Sequence, residues 1–217
     1  MNNSDILFQN SKHIWDEYLK HPFLQELGNN TLLKEKFHFY LLQDYLYLFE
    51  YAKVFSLGFS KTQSSKLQKN FLQGQNEVFN ELEIHKKYML DMQIDENKIA
   101  DLKPSIYSIA YTNYMQSVGF SGDEDDIIAT ILPCAWSYFF IAKKLKEVYK
   151  DSGFYNHWIN SYNSKEYFDS WQWMILHINS KSYEKDKFEK MNEIFLASSE
   201  FEYMFWDMAY NQKMSII

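Results

Sequence analysis

Apolar residues recur along this chain at intervals of three and four, the period of a helix rather than the alternation of a strand. From about Ser4 to Lys20, Ile6, Ile14, Trp15 and Tyr18 fall near one face, and Ser4 suits an N-cap. His21-Pro22-Phe23 stops that run, because the residue before proline avoids the helical region. After Asn29-Asn30-Thr31 a second helix is predicted to about Ser60. It carries a stripe of Phe37, Tyr40, Leu41, Asp44, Leu48, Tyr51, Ala52 and Phe55. A third, about Ser64 to Tyr88, turns Phe71, Phe79, Leu82 and His85 inward, and Asp91 to Lys103 reads as a polar connector.

The second half continues in the same way. Ser105 to Val118 places Tyr107, Tyr111 and Tyr114 on one face, and Gly119-Phe120-Ser121-Gly122 reads as a turn. A long helix follows from about Asp123 to Lys150 with Pro133 inside it, and Asp151-Ser152-Gly153 breaks the chain. A short segment runs from Tyr155 to Tyr162. Asn163 and Glu166 have capping-box spacing for a helix to about His177. The last segment, about Tyr183 to Gln212, is long and amphipathic. The pattern predicts an all-α, single-domain bundle over residues 1–217 with roughly seven or eight helices.

Composition sharpens this reading. Six glycines and three prolines leave few breaks, and 46% hydrophobic residues suffice for a sizeable core. The net charge of −7 comes without a Lys/Arg cluster, which argues against a phosphate-tracking nucleic-acid surface. No apolar run approaches the roughly 18 to 20 residues that span a membrane. The polar N-terminus does not read as a signal peptide. The one cysteine, Cys134, forms no internal disulfide, which fits a reducing cytoplasm, and one chain holds no multi-cysteine metal site.

The candidate chemistry sits on apolar faces. Proline inside a helix costs about 3 kcal/mol, so Pro133 beside Cys134 points to a wanted distortion. If the helix restarts at Pro133, free amides there lower the thiol pKa. The other reading is a small buried hydrophobe beside an incidental kink. Asp44 lies in the aromatic stripe among Tyr40, Tyr47 and Tyr51, where a carboxylate needs a partner. The partner is either a structural hydroxyl or the paired nitrogens of an aminopyrimidine edge. Glu202 shares a face with Phe205, Trp206 and Ala209, so burial raises its pKa toward neutrality whether its role is structural or proton transfer. Tyr111, Tyr138 and Tyr162 are either core tyrosines or the walls of a slot for a flat ring. Glu81 and His85 share one helical face, but no second such motif completes a di-iron set, and His85 reads as structural.

Taken in order and spacing, these stretches resemble the TenA family in its cysteine-containing branch. The resembling residues are Trp15 and Tyr18 before His21-Pro22-Phe23; Phe37, Tyr40, Gln43-Asp44-Tyr45 and Tyr47-Leu48; Tyr111-Thr112 and Tyr114; Pro133-Cys134, Trp136 and Tyr138; His157-Trp158-Ile159, Tyr162 and Ser164; and Glu202 with Phe205-Trp206-Asp207-Met208-Ala209. The resemblance implies a haem-oxygenase-like helical bundle, assembled as a homotetramer. It implies hydrolysis of 4-amino-5-aminomethyl-2-methylpyrimidine to the hydroxymethyl compound and ammonia, a salvage of degraded thiamine. It also implies cleavage of thiamine itself, and no cofactor. By motif, Cys134 corresponds to the nucleophile and Glu202 to the acid/base. Asp44 corresponds to the pyrimidine-binding carboxylate, and Tyr47, Tyr111, Tyr138 and Tyr162 to pocket residues. Asn30 stands where the family often has glycine, in a turn whose left-handed backbone asparagine tolerates. Two rival readings remain at this stage. One is a redox enzyme of the same bundle type using haem, a quinone precursor or two irons. The other is a non-catalytic pyrimidine-binding regulator.

Overall fold

The computed structural model describes residues 1–91 and 101–217. Among them are nine α-helices and no strand. They are α1 (Asn3–Tyr18), α2 (Pro22–Gly28), α3 (Lys34–Lys61), α4 (Ser65–Asp91), α5 (Ile106–Ser121), α6 (Glu124–Val148), α7 (Asn156–Tyr162), α8 (Lys165–Asn179) and α9 (Lys185–Asn211). A single 3-10 turn, Gly153–Tyr155, precedes α7. Most of the predicted polar connector from Asp91 to Lys103 lies outside the described residues.

Several boundaries differ from the sequence expectation for local reasons. Helix α1 is capped by Asn2, whose amide donates to Asp5 at 3.0 Å. Ser4 is instead buried, its amide donating to Asn179 Oδ1. Leu7, rather than Ile6, enters the core. Pro22 does not merely stop a helix but starts α2. It fills the first helical position, where its missing N–H is no loss, and His21 Nδ1 accepts from the Phe23 amide at 3.2 Å. The predicted turn at 119–122 is helical through Ser121, and Gly122 is the C-cap of α5. The capping box expected from Asn163 and Glu166 is not formed, because Ser164 caps α8 by accepting from the Tyr167 amide. A capping box forms instead at α6, between Asp123 and Asp126. Phe79, expected inside, faces solvent.

Helix α6 is the axis of the core. Its residues from Asp125 to Pro133 are buried without interruption, and α9, α3, α5, α7 and α8 pack around it. Contrary to the sequence expectation, it is long and apolar enough to cross a membrane. However, 78% of its most apolar window is covered by the other helices, as in a core helix. Helices α3 and α4 lie close together through a reciprocal pair. Gly58 faces the Phe71 ring and Gly74 faces the Phe55 ring, and a Cβ at either glycine would collide with the ring opposite. Asn30 adopts the left-handed backbone expected of it, with φ of 62°, and its side chain accepts from the Phe154 amide.

Candidate active site

The stripe on α3 faces α4 and α6, so its polar members are buried where three helices meet. A cavity of about 280 Å³ opens there. Its walls include Asp44 and Tyr51 from α3, Glu81 and His85 from α4, Cys134 and Tyr138 from α6, Trp158 and Tyr162 from α7, and Tyr167 from α8. Among the described residues, no lysine or arginine lines it.

The proline does not restart helix α6. The helix runs through Pro133 unbroken. The carbonyls around it find hydroxyl donors: Tyr51 donates to Ile131 at 2.8 Å and Tyr167 to Ala135 at 3.2 Å. Cys134 is therefore mid-helix, not in a first turn with free amides. Burial pushes its thiol well above the usual range, and nearby Glu202 adds to this. The polar influence of Tyr47, whose hydroxyl donates to Met115 Sδ at 3.7 Å, works the other way without overcoming it. The expected low-pKa thiol is overturned, because desolvation outweighs any helix-end effect that far into a helix.

Glu202 is 1% exposed and does not line the cavity. It is close enough to Cys134 for the two groups to influence each other's ionisation, and it accepts from the Tyr111 hydroxyl at 2.7 Å. Burial raises its pKa to about 8, against the opposing Tyr111 bond. Tyr47 and Tyr111 are buried on the same side, their rings 5.3 Å apart, and neither lines the cavity. Of the seven residues singled out by sequence, the cavity thus brings together Asp44, Cys134, Tyr138 and Tyr162. Glu202, Tyr47 and Tyr111 form a layer behind the sulfur.

On the opposite wall, Asp44 belongs to a buried network. His85 Nε2 is 2.7 Å from Asp44 Oδ2, and the Tyr40 hydroxyl donates to the same oxygen at 3.3 Å. Having given its one proton to Asp44, the Tyr40 hydroxyl can only accept from Trp158 Nε1 and from the Tyr138 hydroxyl, both at 3.3 Å. Burial acts to lower the His85 pKa, but the Asp44 hydrogen bond and charge outweigh it, and the net shift is upward. Glu81 is raised by burial to about 7 and accepts a hydrogen bond from Tyr162. Donor atoms of Asp44, Glu81 and His85 all lie within 4.8 Å of one another, a spacing a metal could also use. The 2.7 Å between Nε2 and Oδ2 is a hydrogen-bond length, so what spans that gap is a proton.

Residues 8–212 match the TENA/THI-4/PQQC family. The chain belongs to that family. A Helicobacter pylori relative named aminopyrimidine aminohydrolase is 40% identical, over 97% of this chain and 99% of the relative. The solved structure of a TenA homologue protein from P. horikoshii OT3 superposes with a TM-score of 0.89 at 28% identity, covering 97% of this chain and 99% of that one. A Shewanella denitrificans os217 domain with a heme oxygenase-like fold superposes with a TM-score of 0.76 at 14% identity, over 96% of this chain and 92% of that one, and speaks to the fold alone. The bundle is haem-oxygenase-like, as the resemblance implied.

This TENA/THI-4/PQQC member also has site residues that sequence reasoning undervalued. Glu81 and His85 were visible as one helical face, but their partners Tyr162 and Asp44 are distant in sequence. Tyr51 and Tyr167 read as ordinary aromatics, yet they line the cavity and support the carbonyls beside the cysteine.

Proposed function

We propose that the chain is an aminopyrimidine aminohydrolase acting in thiamine salvage. It hydrolyses 4-amino-5-aminomethyl-2-methylpyrimidine to the hydroxymethylpyrimidine and ammonia, and cleaves thiamine at the same bond. One observation carries the reading. Cys134 and Asp44 face a single aromatic-walled cavity, and a buried carboxyl, Glu202, is coupled electrostatically to the thiol.

In this mechanism the resting thiol is neutral. Glu202, poised near neutrality, takes its proton as the sulfur attacks. The thiolate adds to the ring carbon next to the one bearing the methylene. The ring loses its aromaticity, and its electrons expel the amine from the methylene. The amine leaves from its ammonium form as ammonia, water adds to the exposed methylene and gives its proton to that ammonia, and the departing thiolate takes its own proton back from Glu202 as the aromatic ring is restored. Asp44 holds the amidine edge of the pyrimidine, and Tyr138 and Tyr162 flank the ring. Tyr47 and Tyr111 act through Cys134 and Glu202 rather than by touching substrate. The presence of Glu77, Glu81 and Glu166 in the walls, with no Lys or Arg among the described lining residues, suits a substrate carrying an ammonium or thiazolium charge.

The relatives' aminohydrolase name favours this over the redox and the purely regulatory readings. We further propose one domain over residues 1–217, working in the cytoplasm as a homotetramer. Exposed Phe49, Phe120 and Leu176 offer apolar surface for such contacts. The decisive assay measures ammonia release from the aminomethylpyrimidine, and thiazole release from thiamine, for wild type and Cys134→Ser. Wild-type turnover with none in the variant is expected. An active variant removes the covalent step, and an inactive wild type removes the function.

A further inference from the structure

The aminohydrolase mechanism uses Cys134, Glu202 and Asp44, and leaves one buried titratable contact without a role, that of His85 with Asp44. Its geometry fixes more than a structural pairing. His85 Nδ1 lies 3.0 Å from the Glu81 backbone carbonyl, which can only accept. Nδ1 must therefore carry a hydrogen. In neutral His85 the other nitrogen, Nε2, is then a bare acceptor. A bare Nε2 cannot sit 2.7 Å from an ionised carboxylate oxygen, since two lone pairs would face each other. The contact holds only if one proton lies between them, on either atom. Both side chains are almost fully excluded from solvent, at 3% and 5% side-chain exposure.

The chemistry at Asp44 needs such a proton. Conjugate addition of the thiolate to the ring places an electron pair on the ring nitrogen of the amidine edge. Without a proton that nitrogen would become an anion in a wall that already carries Glu81.

We propose that His85 is a positioning residue that keeps one transferable proton on Asp44, and that Asp44 lends this proton to the pyrimidine ring nitrogen while Cys134 is bonded to the ring. The inference rests on the aminohydrolase reading. The balance is closed. The S–C bond forms, the ring electron pair moves to nitrogen, and the nitrogen takes the proton. When the sulfur leaves with its pair, the ring nitrogen gives the proton back to Asp44. No net proton is consumed at this nitrogen over the cycle. Glu202 and His85–Asp44 thus serve opposite sides of the ring: one receives the thiol proton, the other guards the nitrogen.

The titratable groups that bear on the pair are Tyr40 from α3, Glu81 from α4 itself, Cys134 and Tyr138 from α6, Tyr162 from α7 and Glu202 from α9. The test must change the pair and leave these in place. His85→Gln keeps a neutral N–H for Asp44 but no ionisable partner. In that variant kcat should fall about 100-fold, the scale of a lost general acid. The dissociation constant for the hydroxymethylpyrimidine product should change by less than about threefold, since the carboxylate edge remains. The alkaline limb of kcat should move to lower pH, because the proton is no longer shared with an imidazole. A variant with wild-type kcat and an unmoved limb would overturn the proposal.

A second measurement does not depend on that variant folding. In wild-type enzyme labelled with ¹⁵N-histidine, His85 should show Nδ1 protonated, together with a low-field proton resonance that is lost in Asp44→Asn. An unprotonated Nδ1 would overturn the proposal equally. Failure of the two readings is distinguishable. Wild-type enzyme that releases no ammonia removes the aminohydrolase reading itself. Active wild type with an unaffected His85→Gln removes only this inference.

Discussion

The Tyr111 hydroxyl donates to Glu202 Oε1 at 2.7 Å, and neither residue lines the cavity. This places Tyr111 among the groups that tune the acid/base rather than those that touch a ligand. The bond lowers the Glu202 pKa against the burial that raises it to about 8. Tyr111→Phe should therefore raise that pKa further, by about one unit for one hydrogen bond to a carboxylate. Less Glu202 is then ionised at pH 7, and kcat should drop about tenfold while its acid limb moves to higher pH. Pyrimidine binding, followed by calorimetry, should stay as in wild type. A large loss of affinity would return Tyr111 to the pocket wall.

Asp44 is tested from the binding side. Asp44→Ala removes the carboxylate that grips the amidine edge and leaves His85 Nε2 without its partner. The dissociation constant for the hydroxymethylpyrimidine should rise about 10- to 100-fold, the range of a charge-assisted hydrogen-bonded pair. An unchanged constant would contradict the assigned role.

Burial of two acids also sets how stability responds to pH. Glu202 and Glu81 are raised by burial from 4.5 to about 8 and about 7. The folded state therefore holds protons that the unfolded chain releases. Their contribution to stability is fully present below about pH 4.5 and is lost as pH rises through 7 to 8. Glu202→Gln keeps an acceptor for Tyr111 but cannot ionise. It should raise Tm relative to wild type at pH 8.5 and change it little at pH 5. Differential scanning calorimetry at the two pH values decides this. An equal shift at both would mean that Glu202 titrates as an ordinary carboxyl.

How much of this was legible in the sequence depends on the distance over which each feature is decided. The buried stripe of α3 follows from residues three and four apart, and every member named from sequence is buried. Cap positions were less legible. Ser4, Asn163 and Ser164 are similar in local chemistry, and tertiary contacts such as that of Ser4 with Asn179 choose between them. The site was half legible. Helical periodicity shows that Tyr47, Tyr111, Tyr138 and Tyr162 face inward, and all four do. It does not show that Tyr138 and Tyr162 meet a void while Tyr47 and Tyr111 meet Cys134 and Glu202. That is decided by which helix packs on which. The thiol pKa was misjudged for a related reason. A proline announces a local break, but α6 runs on through it, buried among helices whose Tyr51 and Tyr167 hydroxyls bind the neighbouring Ile131 and Ala135 carbonyls.

Those hydroxyls give a prediction about stability. Tyr51 donates to the Ile131 carbonyl two residues before Pro133, and both groups are buried. Tyr51→Phe keeps the ring and leaves the carbonyl with one acceptor site unfilled. Unfolding free energy should fall by about 1 to 2 kcal/mol. The reactivity of Cys134 toward a small alkylating agent should change too, since the turn that carries it loses a tether. Urea denaturation and alkylation rates read the two effects separately. Unchanged values in both would mean that the hydroxyl does not steady the proline turn.

The close helix approach beside the cavity supplies the last test. Gly58 on α3 faces Phe71 on α4, and a Cβ built there comes within 2.3 Å of the ring. The ring is fully buried and cannot swing into solvent, so the helices must part to accept a methyl group. Overpacking of this kind costs about 1 to 3 kcal/mol. In a free helix, glycine to alanine would instead gain up to about 1 kcal/mol. The sign of the change in Gly58→Ala therefore reports which effect dominates. A loss of stability is expected. Because α4 also carries Glu81 and His85, parting the helices should move His85 away from Asp44 and lower kcat as well. Pairing Gly58→Ala with Phe71→Leu should recover part of both losses by making room for the methyl group. A stabilised single variant would show that α3 and α4 are held apart by something other than this contact.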